Sequence, residues 1–159
     1  MLITPESLVV LGGALALGMG LAGSAIGMGV AGSAGAATLS EEPGQLRNVI
    51  VLVSLPMTQT FYGLIILVLL LTTVLPNIKL LDDPEGAGFS VLACALIGGM
   101  AQFASAVLQG WVCGSGISLL PRTKGRILTN AMMLAVFVEL LGVLGLVFTI
   151  MALNLLGLF

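Results

Sequence analysis

Apolar residues run along this chain in four long blocks, interrupted by three short polar clusters. The blocks cover about 8–37, 47–75, 87–120 and 127–157, each longer than the roughly 20 residues a helix needs to cross a bilayer. They are continuous rather than alternating and far exceed the ~10 residues of a membrane strand, which excludes a closed β-barrel. The expected fold class is all-α: a bundle of four transmembrane helices with short connections and no soluble domain. The first block lacks the basic start and cleavage site of a signal peptide and carries Glu6, so it reads as a retained helix.

The helix starts repeat. Thr4-Pro5-Glu6 opens the first block and Asp83-Pro84-Glu85 the third, each supplying an N-cap, a proline in the first turn and an acid for the helix dipole. Further in, GVAGSAG at 29–35 matches GWVCGSG at 110–116 at an offset of 81 residues. The chain therefore reads as a tandem duplication of one helical hairpin, residues 1–80 and 81–159.

Composition agrees, with 58% hydrophobic and 8% charged residues and a mean hydropathy of +1.21. Lipid is the expected surrounding, and no nucleic-acid partner is expected at a net charge of −2. Arg47 borders the first connection and Arg122, Lys124 and Arg126 fill the third, while Lys79 in the second meets Asp82, Asp83 and Glu85. The positive-inside rule then places connections 38–46 and 120–127 in the cytoplasm, with both termini and loop 76–86 on the far side. Cys94 and Cys113 fall inside the third block and read as packing residues rather than a disulfide.

Small residues recur at steps of four: Gly23, Gly27, Ala31 and Gly35 in the first block, and Gly98, Ala106, Gly110 and Gly114 in the third, where Gln102 takes the step between Gly98 and Ala106. That spacing lets helix backbones approach closely in lipid. Two such faces exceed what a single four-helix bundle requires, so the odd helices are expected to pack against copies of themselves as an inner ring. The alternative is a compact monomeric bundle.

The candidate chemistry is one acid and its company. Glu139 stands alone in AVFVELLGVLG at 135–145, and an acid at bilayer depth costs about 2.5–3.5 kcal/mol on insertion scales, which marks it as functional by default. At an offset of 80, Gln59 takes the matching place in the first hairpin. In SLPMTQTFYG, Leu55, Thr58, Gln59 and Tyr62 fall at i, i+3, i+4 and i+7 and share one helix face. Pro56 withholds an amide hydrogen, so the helix should loosen there and free main-chain oxygen. The third block offers Gln109 or Gln102, and Gln109 lies closer to the depth of Glu139. A carboxylate, two amide oxygens, a hydroxyl and a carbonyl are hard donors carrying one negative charge, a set that suits a monovalent cation, with sodium the natural choice. A proton needs only an acid in an apolar pocket, which leaves Thr58, Gln59 and Gln109 without a task. The hydroxyl of Tyr62 is positioned to fix the Glu139 carboxylate. No phosphate loop, metal-spaced Cys cluster or nucleophile with an adjacent base appears.

A duplicated glycine-rich hairpin with one acid in its fourth span resembles the proteolipid rotor subunit of V-type ATPases. The residues LPMTQTFYG at 55–63, LQG at 108–110 and VELLG at 138–142 resemble the K subunit of bacterial sodium-pumping V-type enzymes, in a bacterial plasma membrane. The resemblance implies a homo-oligomeric ring that is not catalytic on its own. Ions board at a stator membrane subunit bearing an arginine, and central-stalk subunits at the cytoplasmic loops transmit rotation driven by ATP hydrolysis. It also implies that Na+ is held by Glu139, Thr58, Gln59, Gln109 and the Leu55 carbonyl, with Tyr62 hydrogen-bonded to the carboxylate. The Thr58-Gln59 pair argues for sodium over the alternative, H+. Met57 departs from the glycine of the sodium-type motif and bears on the fit around Leu55. A reading of another class is a small cation/proton antiporter, which should show a roomier, aromatic-lined cavity; aromatic residues are only 5% of this chain.

Overall fold

A computed structural model describes residues 4–158. Its elements in order are α1 (Pro5–Glu41), α2 (Leu46–Ser54), α3 (Thr58–Leu69), α4 (Pro84–Ser118), α5 (Leu120–Thr123) and α6 (Leu128–Leu155). Together α2, α3 and the turns beside them form one span, Pro43–Val74, so four helical spans are long and apolar enough to cross a membrane. All-α architecture in two tandem hairpins is what the apolar blocks predict.

Both anticipated caps are in place. The Thr4 hydroxyl accepts the Ser7 amide at 3.2 Å while the Ser7 hydroxyl accepts the Thr4 amide at 2.9 Å, a reciprocal box that starts α1. Asp83 accepts the Gly86 amide at 3.0 Å and starts α4. Pro56 acts as expected: it divides the second span with a 3-10 turn, Leu55–Met57.

The two ends of the bundle are distinct. After α5, Lys124 and Gly125 both have positive φ, 50° and 81°. A Cβ on Gly125 would lie 2.9 Å from Asn48 Nδ2, so the third connection nests on the start of the second span. At the other end, Lys79 pairs with Glu6 and joins the second connection to the start of α1.

The glycine stripes pack differently from the expectation. A Cβ on Gly23 would lie 2.7 Å from the Phe103 Cα, Gly27 faces the Ala106 carbonyl, and Gly110 meets the backbone of Gly27 itself. A Cβ on Gly98 would fall 2.5 Å from Thr149 Oγ1. These stripes therefore serve contacts inside one chain, chiefly α1 against α4, and do not themselves form a contact between copies. A second small-residue face of α1 remains outward, where Ala14, Gly18, Ala22, Ala25 and Gly29 are exposed; Gly18 and Gly29 have open space around them.

Two apolar clusters fill the interior. One holds Val9, Ile66, Leu70, Val74, Val91 and Leu153, towards the second connection. The other holds Ala31, Leu52, Cys113, Ile117, Leu120 and Ala135, towards the first and third. Cys94 and Cys113 are free and buried, as packing residues should be. Between the clusters lies a layer of buried polar side chains, Gln59, Gln102, Ser105 and Gln109.

Candidate functional site

The polar layer is built by three spans meeting at the Pro56 turn. Because Gly20 lacks a side chain, the second span can approach α1 closely: a Cβ there would lie 2.8 Å from the Gln59 carbonyl oxygen. Gln59 thereby sits fully buried on the inner side of α3, with Gln109 fully buried opposite it on α4.

One hydrogen-bond chain crosses the layer. Tyr62 Oη donates to Glu139 Oε1 at 3.2 Å, and Gln109 Nε2 donates to Glu139 Oε2 at 3.3 Å and to the Ala135 carbonyl at 3.3 Å. Gln59 Nε2 donates to Gln109 Oε1 at 2.8 Å. Thr58 Oγ1 lies 3.2 Å from both Gln59 Oε1 and the Leu55 carbonyl oxygen. All six residues singled out from the sequence thus belong to one continuous network.

A hydroxyl has one proton to donate, yet Thr58 Oγ1 faces two acceptors at the same 3.2 Å, beyond the roughly 2.5–3.0 Å of O–H···O bonds. Neighbouring ligands that far apart suit an octahedral cation with metal–oxygen distances of about 2.3 Å, longer than the roughly 2.0–2.1 Å of magnesium. Each Glu139 oxygen has one hydrogen-bond partner, Tyr62 Oη on one and Gln109 Nε2 on the other.

Glu139 is half-buried and borders an outward face of α6, where Val136 and Leu140, roughly 60° and 100° around the helix, are exposed. Its access is therefore lateral, from the side where lipid or another protein would lie.

Gln102 is separate. Its amide donates to the Gly142 carbonyl at 2.9 Å, and its Oε1 has no hydrogen-bond partner among the described residues. The sequence favoured Gln109 over Gln102 by depth, and it is the Gln109 amide that bonds Glu139. Sequence reasoning missed Ser105, which accepts Gln59 Nε2 at 3.1 Å and donates to the Val138 carbonyl at 2.9 Å. A signal was present, since Gln102, Ser105 and Gln109 fall at i, i+3 and i+7.

Comparison with known proteins agrees with this architecture. The profile of the ATP synthase C-subunit family matches twice, over residues 11–70 and 92–152. The chain is also 30% identical over 155 residues to the A-type ATP synthase subunit K of Methanocaldococcus jannaschii, an alignment covering 96% of this chain and 64% of that protein. With most of its length matched in two copies, one on each hairpin, this chain belongs to the ATP synthase C-subunit family.

Proposed function

We propose that the chain is the non-catalytic, ion-carrying subunit of a rotor ring in a rotary ATPase or ATP synthase, and that its cargo is Na+. The ring consists of copies of this chain, turns against a stator membrane subunit, and is coupled through a central stalk to ATP chemistry in a soluble head. The sodium-pumping V-type reading rests on LPMTQTFYG at 55–63, whereas the Methanocaldococcus relative is named as part of an A-type ATP synthase. The hairpins 1–80 and 81–159 are proposed as the duplicated units, in a bacterial plasma membrane with connections 38–46 and 120–127 cytoplasmic.

The observation that carries the sodium reading is the oxygen cluster around Thr58. Leu55 O and Gln59 Oε1 each lie 3.2 Å from Thr58 Oγ1, which supports reading the three as ligands of one ion. Gln109 Oε1 accepts one bond from Gln59 and keeps a second lone pair. Glu139 supplies the single charge. A proton would require none of the first three.

Neutrality explains how such a site works. Glu139 with Na+ bound carries no net charge and tolerates an apolar contact; emptied, it is an uncompensated charge whose burial costs several kcal/mol. The empty site is then stable only beside a cation such as a stator arginine, and the loaded one can travel through lipid. The partial exposure of Glu139 beside Val136 and Leu140 fits boarding from a stator.

The test is ATP-driven uptake of radioactive sodium by vesicles bearing the whole complex. The proposal expects uptake that persists with a protonophore and disappears in Glu139→Gln. Uptake abolished by the protonophore, with acidification of the lumen in its place, establishes protons as the cargo.

A further inference from the structure

We propose that Ser105 is a positioning residue for the ion site: its hydroxyl holds the Gln59 amide with the oxygen turned towards Thr58, which favours a metal cation over a proton at Glu139. This inference rests on the sodium reading above.

The Gln59 amide nitrogen has two protons; one goes to Ser105 Oγ at 3.1 Å and the other to Gln109 Oε1 at 2.8 Å. Its oxygen is left facing Thr58 Oγ1 at 3.2 Å. Turning the amide over would set its oxygen against Gln109 Oε1, and Ser105 could serve it only by giving up its bond to the Val138 carbonyl at 2.9 Å. Gln59 is fully buried and Ser105 is 3% exposed, so water is not at hand to repair either loss. A buried serine on α4 thus fixes which end of an amide on α3 meets the cation. It also ties down the α6 backbone one residue before Glu139.

The duplication supplies an internal control. Ser24 occupies the equivalent place in the first hairpin, 81 residues earlier. It is also buried, but its hydroxyl has no hydrogen-bond partner among the described residues.

A proton on Glu139 needs no oxygen from Gln59, so the two ions should respond differently to loss of the Ser105 hydroxyl. The experiment uses membranes containing the intact complex and follows carbodiimide modification of Glu139 by mass spectrometry. Two curves are taken for each variant: protection by sodium at fixed pH, and the pH profile of labelling without sodium. For Ser105→Ala we expect half-protection to require about tenfold more sodium, the loss of one buried hydrogen bond, with the sodium-free pH profile unmoved. Ser105→Cys, of similar volume and a weaker acceptor, should shift the same way by less, and Ser24→Ala should match the unaltered protein. A Ser105→Ala sodium curve that overlays the unaltered one overturns the assignment, as does an equal displacement of both curves, which marks a merely structural role. If the unaltered protein is itself indifferent to sodium, the sodium reading falls and Ser105 with it. The unaltered protein alone reveals that case.

Discussion

Tyr62 and Glu139 are joined across two spans by a 3.2 Å bond from the phenol hydroxyl to one carboxylate oxygen. The other oxygen is held by Gln109, so the acid is fixed from α3 and α4 although it stands on α6. Tyr62→Phe keeps the ring and removes that donor. A hydrogen bond to a charged group contributes about 1.5 kcal/mol or more, here lessened by partial exposure, so sodium affinity should fall about fivefold to tenfold. Sodium titration of Glu139 labelling in the variant checks this, and an unchanged midpoint would remove Tyr62 from the site.

Thr58 is assigned an oxygen rather than a shape. Thr58→Ser preserves the oxygen and should keep sodium affinity within about threefold, while Thr58→Ala deletes a ligand and should lower it by about tenfold or more. Equal effects from both variants would mean that the threonine methyl, and not its hydroxyl, matters.

Gly27 and Gly110 meet backbone to backbone between α1 and α4. Alanine at either position overfills that contact, at a cost of about 1–3 kcal/mol, and should lower the thermal midpoint of the purified protein or prevent its accumulation. Gly29→Ala has open space within the chain, so the fold of a single copy should be spared. If Gly29→Ala nevertheless disperses a detergent-stable assembly, the exposed α1 face is where copies meet.

Pro56 creates the turn that separates α2 from α3. Pro56→Ala restores a main-chain donor and should let the helix run through residues 55–57, moving the Leu55 carbonyl. Helix stability should rise while sodium affinity drops several-fold, a separation of effects read by thermal melting alongside sodium protection.

The site was legible wherever a polar residue was out of place. Glu139, Gln59 and Gln109 stand out because hydrocarbon penalises them, and Tyr62 because helical spacing puts it on the face of Thr58. Ser105 carried no such contrast: in a glycine- and alanine-rich helix, a serine looks like another small packing residue. The glycine stripes announced close approach, but spacing alone does not say which helix approaches. The structure gives that surface to α1 and α4 of one chain and leaves a different α1 face outward. Choosing between Gln102 and Gln109 likewise needed depth, which depends on how the hairpins fold about their turns.

Whether Glu139 holds a metal cation with oxygens from Leu55, Thr58, Gln59 and Gln109 is decided by carbodiimide labelling of Glu139 in membranes across a sodium titration near neutral pH. The reagent modifies the protonated carboxyl, so a bound cation should block it. Sodium should protect Glu139 and potassium should not, at equal ionic strength; labelling that follows pH alone and ignores sodium would mean that the site takes a proton and that these oxygens do not coordinate an ion.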